Sequence, residues 1–191
     1  MKILLFGVSN VGKTTCAKLL AEKIGYTFYD LDEEVKKALH TTLEDFINNT
    51  PTLYQRDQIR GQIIKKIVNR TDKIVFAITP MTYIDSIQDI LKRKNVLAIE
   101  LRDTPENIFI RLVFSDENDV IYEDRDYCEK YKDHYLNEIR SDIEWYGHIY
   151  ENIGYKYFIE WYGHIYENIG YKYFIDGRSP QEVVEDLFKS Y

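Results

Sequence analysis

A short segment near the start of the chain has the residue types and spacing of a phosphate-binding loop. Gly7 and Gly12 bound it, and Lys13 and Thr14 follow directly. In such a loop backbone N–H groups surround a phosphate at the positive end of a helix dipole, while the lysine adds a charge and the hydroxyl is offered to Mg²⁺. The residues predicted to contact the nucleotide are Gly7, Ser9, Asn10, Val11, Gly12, Lys13, Thr14 and Thr15. The segment therefore predicts a nucleotide site that uses Mg²⁺.

Two carboxylates, Asp30 and Asp32, follow the next apolar segment, residues 27–29. Open α/β sheets bind their ligands at the carboxyl ends of the strands, so we expect both side chains near the phosphate loop. Carboxylates at this place can hold Mg²⁺ through water or accept a proton from an attacking hydroxyl. The alternative is a cap and a first-turn charge for the following helix, but the nearby phosphate loop favours the functional interpretation.

The elements that must position these groups alternate between strand and helix. Apolar runs at 2–6, 27–29, 73–78 and 95–101 predict buried strands, and 13–24 has apolar residues at helical spacing. Thr104 and Pro105 predict the start of a helix running to about Phe114, and Ser179 caps the last helix. Together they predict a single α/β domain over 1–191, with three layers and a parallel sheet of about five strands covered by helices on both faces.

Residues 143–158 recur without a change at 159–174. Two identical copies do not make a solenoid, which needs at least three units. The apolar stretch 171–175 is predicted to form the last strand, because the final turn and helix cap follow it at once. The matching stretch 155–159 is then predicted to extend the preceding helix, since tertiary context overrides local propensity.

The formal net charge of −7 argues against nucleic-acid or anionic-membrane surfaces, which need clustered Lys and Arg. The longest apolar runs are strand-sized, so no membrane span is expected. Cys16 and Cys128 have neither disulfide-framework nor metal-site spacing. We therefore expect a cytoplasmic protein, a monomer or weak homodimer, with small molecules as its partners.

The loop Gly7–Thr14, the segment 28–32 and the helix containing Arg56 together resemble the shikimate kinase family. The resemblance implies a P-loop kinase fold, ATP and Mg²⁺ as cofactors, and phosphoryl transfer to a small-molecule hydroxyl. It implies that Thr14 and Asp30 hold Mg²⁺, that Lys13 stabilises the transferring charge, and that Asp32 and Arg56 face the acceptor.

The same resemblance implies roles for the region that follows the fourth strand. Arg111 would lie against the adenine. Residues 115–126 would form a mobile lid, from which Arg125 would reach the transferred phosphoryl group.

The acceptor side departs from that family. Thr79, Pro80 and Met81 stand where shikimate kinases have consecutive glycines, and the lid is acidic. An arginine expected before the last strand has no clear match, with Arg140 far upstream. Two alternatives therefore stay open: a nucleoside or nucleotide kinase, and an ATP-binding module with little or no turnover.

Overall fold

A computed structural model describes residues 1–158 and 171–189. The elements of this part of the chain are β1 (Lys2–Phe6), α1 (Lys13–Ile24), β2 (Thr27–Asp30), α2 (Leu31–Leu39), α3 (Leu43–Asn49), α4 (Leu53–Arg70), β3 (Ile74–Ala77), a 3₁₀ turn (Asp85–Ile87), α5 (Gln88–Leu91), β4 (Val96–Arg102), α6 (Pro105–Ile110), β5 (Phe114–Ser115), β6 (Ile121–Tyr122), α7 (Arg125–Lys130), α8 (Lys132–Phe158), β7 (Tyr171–Phe174) and α9 (Pro180–Lys189). None of these helices is long and apolar enough to cross a membrane.

Five strands form one parallel sheet, as the sequence predicts, and the structure gives their order as β2-β3-β1-β4-β7. At its centre Leu4 lies opposite Phe76 on one side and Ala98 on the other. Because all five strands run the same way, their carboxyl ends share one edge. The loops after β1, β2 and β3 meet there, and this edge carries the site.

Alternation along β1 shows why the sheet needs cover on both faces. Ile3 and Leu5 pack in one apolar cluster with residues of α1, α6, α8 and α9. Leu4 and Phe6 pack in another with residues of α2, α4 and α5. Side chains of a strand point alternately to opposite faces, so each cluster is the core of one face. The three-layer arrangement is therefore confirmed.

The prediction for the helix that starts at Pro105 is wrong in length. α6 ends at Ile110 rather than near Phe114. Arg111 leaves the helix to bond Asp103, and Phe114 pairs with Tyr122 in a small antiparallel hairpin of β5 and β6. The residues that the apolar spacing had assigned to the last turn of the helix therefore lead into a strand that pairs with β6.

The predictions for the repeated segment are confirmed where the structure describes it. Tyr171–Phe174 forms β7, and the N–H of Ile175 donates to the Arg102 carbonyl at 2.7 Å. α8 continues to Phe158, and residue 159 lies outside the described residues. The second copy has an advantage as the strand, because Tyr173 of β7 bonds Asp186 of the adjoining α9 at 2.9 Å.

Candidate active site

The predicted phosphate loop joins β1 to α1 at the carboxyl edge of the sheet. Its backbone has positive φ angles at Gly7 (138°), Asn10 (59°) and Gly12 (104°). A Cβ on Gly7 would lie 2.5 Å from the carbonyl oxygen of Leu101, so the close approach of the loop to β4 requires glycine. Val11 is buried in the core, whereas Ser9, Thr14 and Thr15 are exposed at the loop surface. The loop is thus anchored from below and open to a ligand from above.

Lys13 is the buried cation of this loop. Its Nζ donates to the carbonyl of Val8 at 2.7 Å, within the loop itself. Burial lowers the pKa of Lys13 to about 8, although the carboxylates of Asp32 and Asp30 act in the opposite direction. A charged amine that is buried from water loses much of its solvation. Phosphate oxygens placed at the loop would compensate for the lost solvation.

Asp30 lies between the loop and helix α2 and serves both. Its Oδ2 accepts a hydrogen bond from the Thr14 hydroxyl at 2.7 Å. Its Oδ1 accepts from the backbone N–H groups of Asp32 at 3.0 Å and Glu33 at 3.4 Å, which caps α2. The two interpretations of this residue, helix cap and neighbour of the loop, are therefore both true, one for each oxygen.

The Thr14–Asp30 pair suits Mg²⁺. A hydroxyl and a carboxylate oxygen are the hard ligands that this ion prefers, and it keeps several of its other positions for phosphate and water. In residues 1–158 and 171–189 no group of three or more His, Cys, Asp or Glu side chains could enclose a metal by itself. The donor set present fits an ion that arrives with a nucleotide.

Asp32 lies in the first turn of α2, beside Thr79 of the loop after β3. Burial raises the pKa of Asp32, and a hydrogen bond with Thr79 and the charge of Arg60 offset this in part. A raised pKa makes a carboxylate a stronger base at neutral pH. Its place at the carboxyl edge of the sheet and its raised pKa together suit Asp32 to accept a proton.

A buried ion pair in α4 completes this side of the site, and the sequence analysis missed it. Asp57 is 1% exposed and Arg60 9%. Asp57 accepts from the backbone N–H groups of Thr82 and Tyr83, which ties the loop after β3 to α4. Acid and base three residues apart on an otherwise apolar helix face were the available signal, because buried charges occur almost only in pairs.

The other predicted arginines lie in different surroundings. Arg56 donates to the carbonyls of Thr50 at 2.6 Å and Ile47 at 3.0 Å, at the end of α3. Arg125 is paired within the lid with Glu123 at 3.1 Å. Among the described contacts, neither guanidinium forms a hydrogen bond or ion pair with Lys13 or Asp32.

Arg111 does reach the phosphate loop. Its Nε donates to the carbonyl of Asn10 at 3.4 Å, and a terminal nitrogen pairs with Asp103 at 2.6 Å. Burial works to raise the pKa of Asp103, but hydrogen bonds from Asn107, Arg111 and Thr104 hold it below its usual range. The pair fixes Arg111 beside the loop.

The predicted lid, residues 115–126, contains β6 and parts of β5 and α7. Its turn residue Asp119 accepts from the backbone N–H of Leu43 at 3.0 Å, at the start of α3. Asp119 also lies 3.7 Å from the Nζ of Lys36 in α2. The hairpin is therefore docked on the helices that follow β2.

Comparison with known proteins shows the family and agrees with the fold. The family model described as shikimate kinase matches residues 9–146. A shikimate kinase of Persephonella marina is 30% identical over 124 residues, which is 64% of this chain and 74% of the relative.

Two solved structures have the same fold over nearly the whole chain. The shikimate kinase of Bacteroides thetaiotaomicron has a TM-score of 0.70 at 16% identity, with 99% of this chain and 97% of the other covered. The Acinetobacter baumannii shikimate kinase in complex with shikimate has a TM-score of 0.65 at 17% identity, with 98% and 90% covered.

Proposed function

The chain belongs to the shikimate kinase family and is an ATP-dependent kinase, and we propose that shikimate is its acceptor. One observation carries the assignment to particular residues. The Thr14 hydroxyl is bonded to Asp30, and Asp32 lies in the next turn beside the loop after β3. This arrangement supports the proposal that Thr14 and Asp30 bind the metal at the phosphate loop and that Asp32, two residues further along, is the base.

The reaction follows from these positions. Asp32 takes the proton of the acceptor hydroxyl while the oxygen of that hydroxyl forms a bond to the γ-phosphorus of ATP. The bond from phosphorus to the β,γ-bridging oxygen breaks, and ADP leaves with that oxygen. Lys13 and the loop N–H groups stabilise the charge on the transferring group. Thr14 and Asp30 would hold Mg²⁺, whose charge offsets that of the β- and γ-phosphates when it is bound.

The remaining assignments belong to the same proposal. Arg111, fixed beside Asn10, would lie against the adenine. Arg125 would have to leave Glu123 to reach the phosphoryl group, and Arg56 would have to leave the end of α3 to reach the acceptor. The protein would work in the cytoplasm as a monomer or weak homodimer, and size-exclusion chromatography with light scattering tests the oligomeric state.

An ADP-release assay with Mg-ATP tests the proposed function. Shikimate, nucleosides and nucleoside monophosphates are supplied separately to the wild type, Lys13→Ala and Asp32→Asn. Lys37→Ala, which removes an exposed lysine paired with Glu34, is the matched control. The proposal is supported if ADP release depends on shikimate, is lost in Lys13→Ala and Asp32→Asn, and persists in Lys37→Ala. Release with a nucleoside instead identifies a nucleoside kinase, and ATP binding without turnover identifies a binding module.

A further inference from the structure

One carboxylate fastens the tip of the lid to the helices that follow β2. Both oxygens of Asp119 accept from the backbone N–H of Leu43, at 3.3 and 3.0 Å. The Nζ of Lys36 in α2 lies 3.7 Å from one of them. The Asp119 side chain is 9% exposed, so these contacts are screened less by salt than a surface pair would be.

The N–H group that Asp119 binds is one that α3 cannot satisfy by itself. The first N–H groups of a helix have no partner within the helix. The Thr42 hydroxyl caps α3 by accepting from the N–H of Asp45 at 3.1 Å, which leaves the N–H of Leu43 for another acceptor. A negative charge is also favoured at this end of a helix. Asp119 thus completes the cap of α3 from the lid.

The turn that carries Asp119 is held in shape by its own hydrogen bonds. The Oδ1 of Asp116 accepts from the N–H groups of Asn118 and Val120, both at 2.9 Å. The N–H of Asp119 donates to the Asp116 carbonyl at 3.0 Å, and the φ angle of Asp119 is 61°. The carboxylate of Asp119 is therefore presented to α3 in a defined direction.

Aromatic contacts fix the base of the hairpin. The Phe114 ring lies 5.7 Å from the ring of Tyr122 across the hairpin. It also lies 6.0 Å from Tyr127 in α7 and 5.9 Å from Tyr135 in α8. Aromatic pairs at these distances stabilise beyond the area that they bury. Because both the turn and the base are ordered, opening the lid at its tip must break the contacts of Asp119.

The lid spans the phosphate loop from one side to the other. It follows Arg111, whose Nε donates to the carbonyl of Asn10 in that loop at 3.4 Å. Its tip rests on α2, which begins directly after Asp30, the partner of the Thr14 hydroxyl. A nucleotide bound at the loop would therefore enter and leave past the lid.

We propose that Asp119, with Leu43 and Lys36, is a latch that holds the lid closed over the nucleotide site, so that a nucleotide enters only when the latch opens. The acidic residue of the lid then has a role of its own, which is to bind the protein rather than the phosphates. The latch controls nucleotide exchange and does not depend on which acceptor the enzyme uses.

Stopped-flow fluorescence with Mg²⁺ and ADP labelled on the ribose measures the rate constants of association and dissociation. Asp119→Gly removes the carboxylate without backbone strain, because glycine accepts a positive φ. The association rate constant should rise about tenfold, the fold-change for one hydrogen bond to a charged group, and dissociation should rise with it. Asp119→Asn, which keeps an oxygen for Leu43 and loses the charge, should give a smaller rise. Glu117→Gly, the matched control, adds the same flexibility at an exposed carboxylate of the same turn and should keep the wild-type rate constants.

A lid that does not gate the site gives a different result. If Asp119→Gly leaves the association rate constant unchanged, the latch is refuted, and a rise confined to dissociation refutes it equally. With nucleotide in excess the rate constant does not depend on the folded fraction. If Asp119→Gly does not fold, Lys36→Met decides the question through a smaller rise in association, with Lys37→Met as its control.

Failure of the proposed function is distinguishable from failure of the latch. If the wild type binds the labelled nucleotide but phosphorylates no shikimate, the acceptor is wrong while the rate constants still decide on the latch. If the wild type binds no nucleotide, both are refuted.

Discussion

Nucleotide binding should be coupled to the protonation of Lys13. In the free protein burial lowers the pKa of Lys13 to about 8, so that half of the molecules lack the charge at that pH. The β- and γ-phosphates of a bound nucleotide would hold the amine protonated, because an opposite charge close by favours the charged form. Binding above pH 8 must therefore take up a proton.

The size of the effect follows from that pKa. At pH 7 nearly all free Lys13 is charged, and at pH 9 about one molecule in ten is, for a pKa of about 8. The affinity for Mg-ADP should therefore fall by about tenfold between pH 7 and pH 9, or about 1.4 kcal/mol. Proton uptake per nucleotide should rise toward one over the same interval.

Isothermal titration calorimetry in buffers of different ionisation enthalpy measures both quantities. Lys13→Met should bind more weakly but with an affinity that changes little between pH 7 and pH 9. Lys37→Met, which removes an exposed lysine, should behave as the wild type. A wild-type affinity that is constant over this range, or no proton uptake at pH 9, would refute the reasoning about Lys13.

The lowered pKa of Lys13 should also make the stability of the ligand-free protein depend on pH. The folded pKa of about 8 lies below the ordinary 10.5, so the unfolded chain binds more protons between these values. Stability should consequently rise with pH through this window, by about 3 kcal/mol for this residue. Urea unfolding of the wild type minus that of Lys13→Met isolates the contribution from those of other groups.

Three further changes have expected outcomes. Gly7→Ala should cost clearly more stability in thermal unfolding than Gly25→Ala, because both have positive φ but only the first adds a Cβ 2.5 Å from the Leu101 carbonyl; equal losses would contradict this. Asp119→Ala should release the lid from α3 and raise amide hydrogen exchange in the hairpin at least several-fold, and unchanged exchange would refute the docking role. Deleting 159–174 leaves the same sequence as deleting the first copy, so the remaining copy should form the strand and circular dichroism should show a cooperative unfolding transition, whose loss would contradict that expectation.

The donor side could be predicted because its parts are close in sequence. Gly7, Lys13 and Thr14 belong to one strand–loop–helix unit, and Asp30 ends the next strand. Parallel topology alone then brings the two strand ends together. Local spacing and one topological rule were sufficient for this half.

The acceptor side depends on contacts between distant elements, which spacing does not reveal. The resemblance implied a role for Arg56, whose guanidinium bonds carbonyls at the end of α3, whereas Arg60, one turn further along α4, is buried and paired with Asp57. Which of the two arginines is buried depends on the rotation of α4 about its own axis. Asp57 fixes this rotation by accepting hydrogen bonds from the loop after β3. The wrong end predicted for α6 has the same origin, because Phe114 pairs with Tyr122, eight residues further along the chain, rather than continuing the helix.

The backbone N–H groups of Thr82 and Tyr83 donate to Asp57 and so fix the position of the loop after β3. The other residues of this loop are then not needed to hold its course. A loop whose course is fixed by a carboxylate from a neighbouring helix does not need glycines, and residues 79–83 contain none. Met81 can then fill the core at 0% exposure while Thr79 points its hydroxyl toward Asp32. We therefore expect that a substitution at position 79 changes the contact with Asp32 while the bonds from Thr82 and Tyr83 to Asp57 keep the loop on its course.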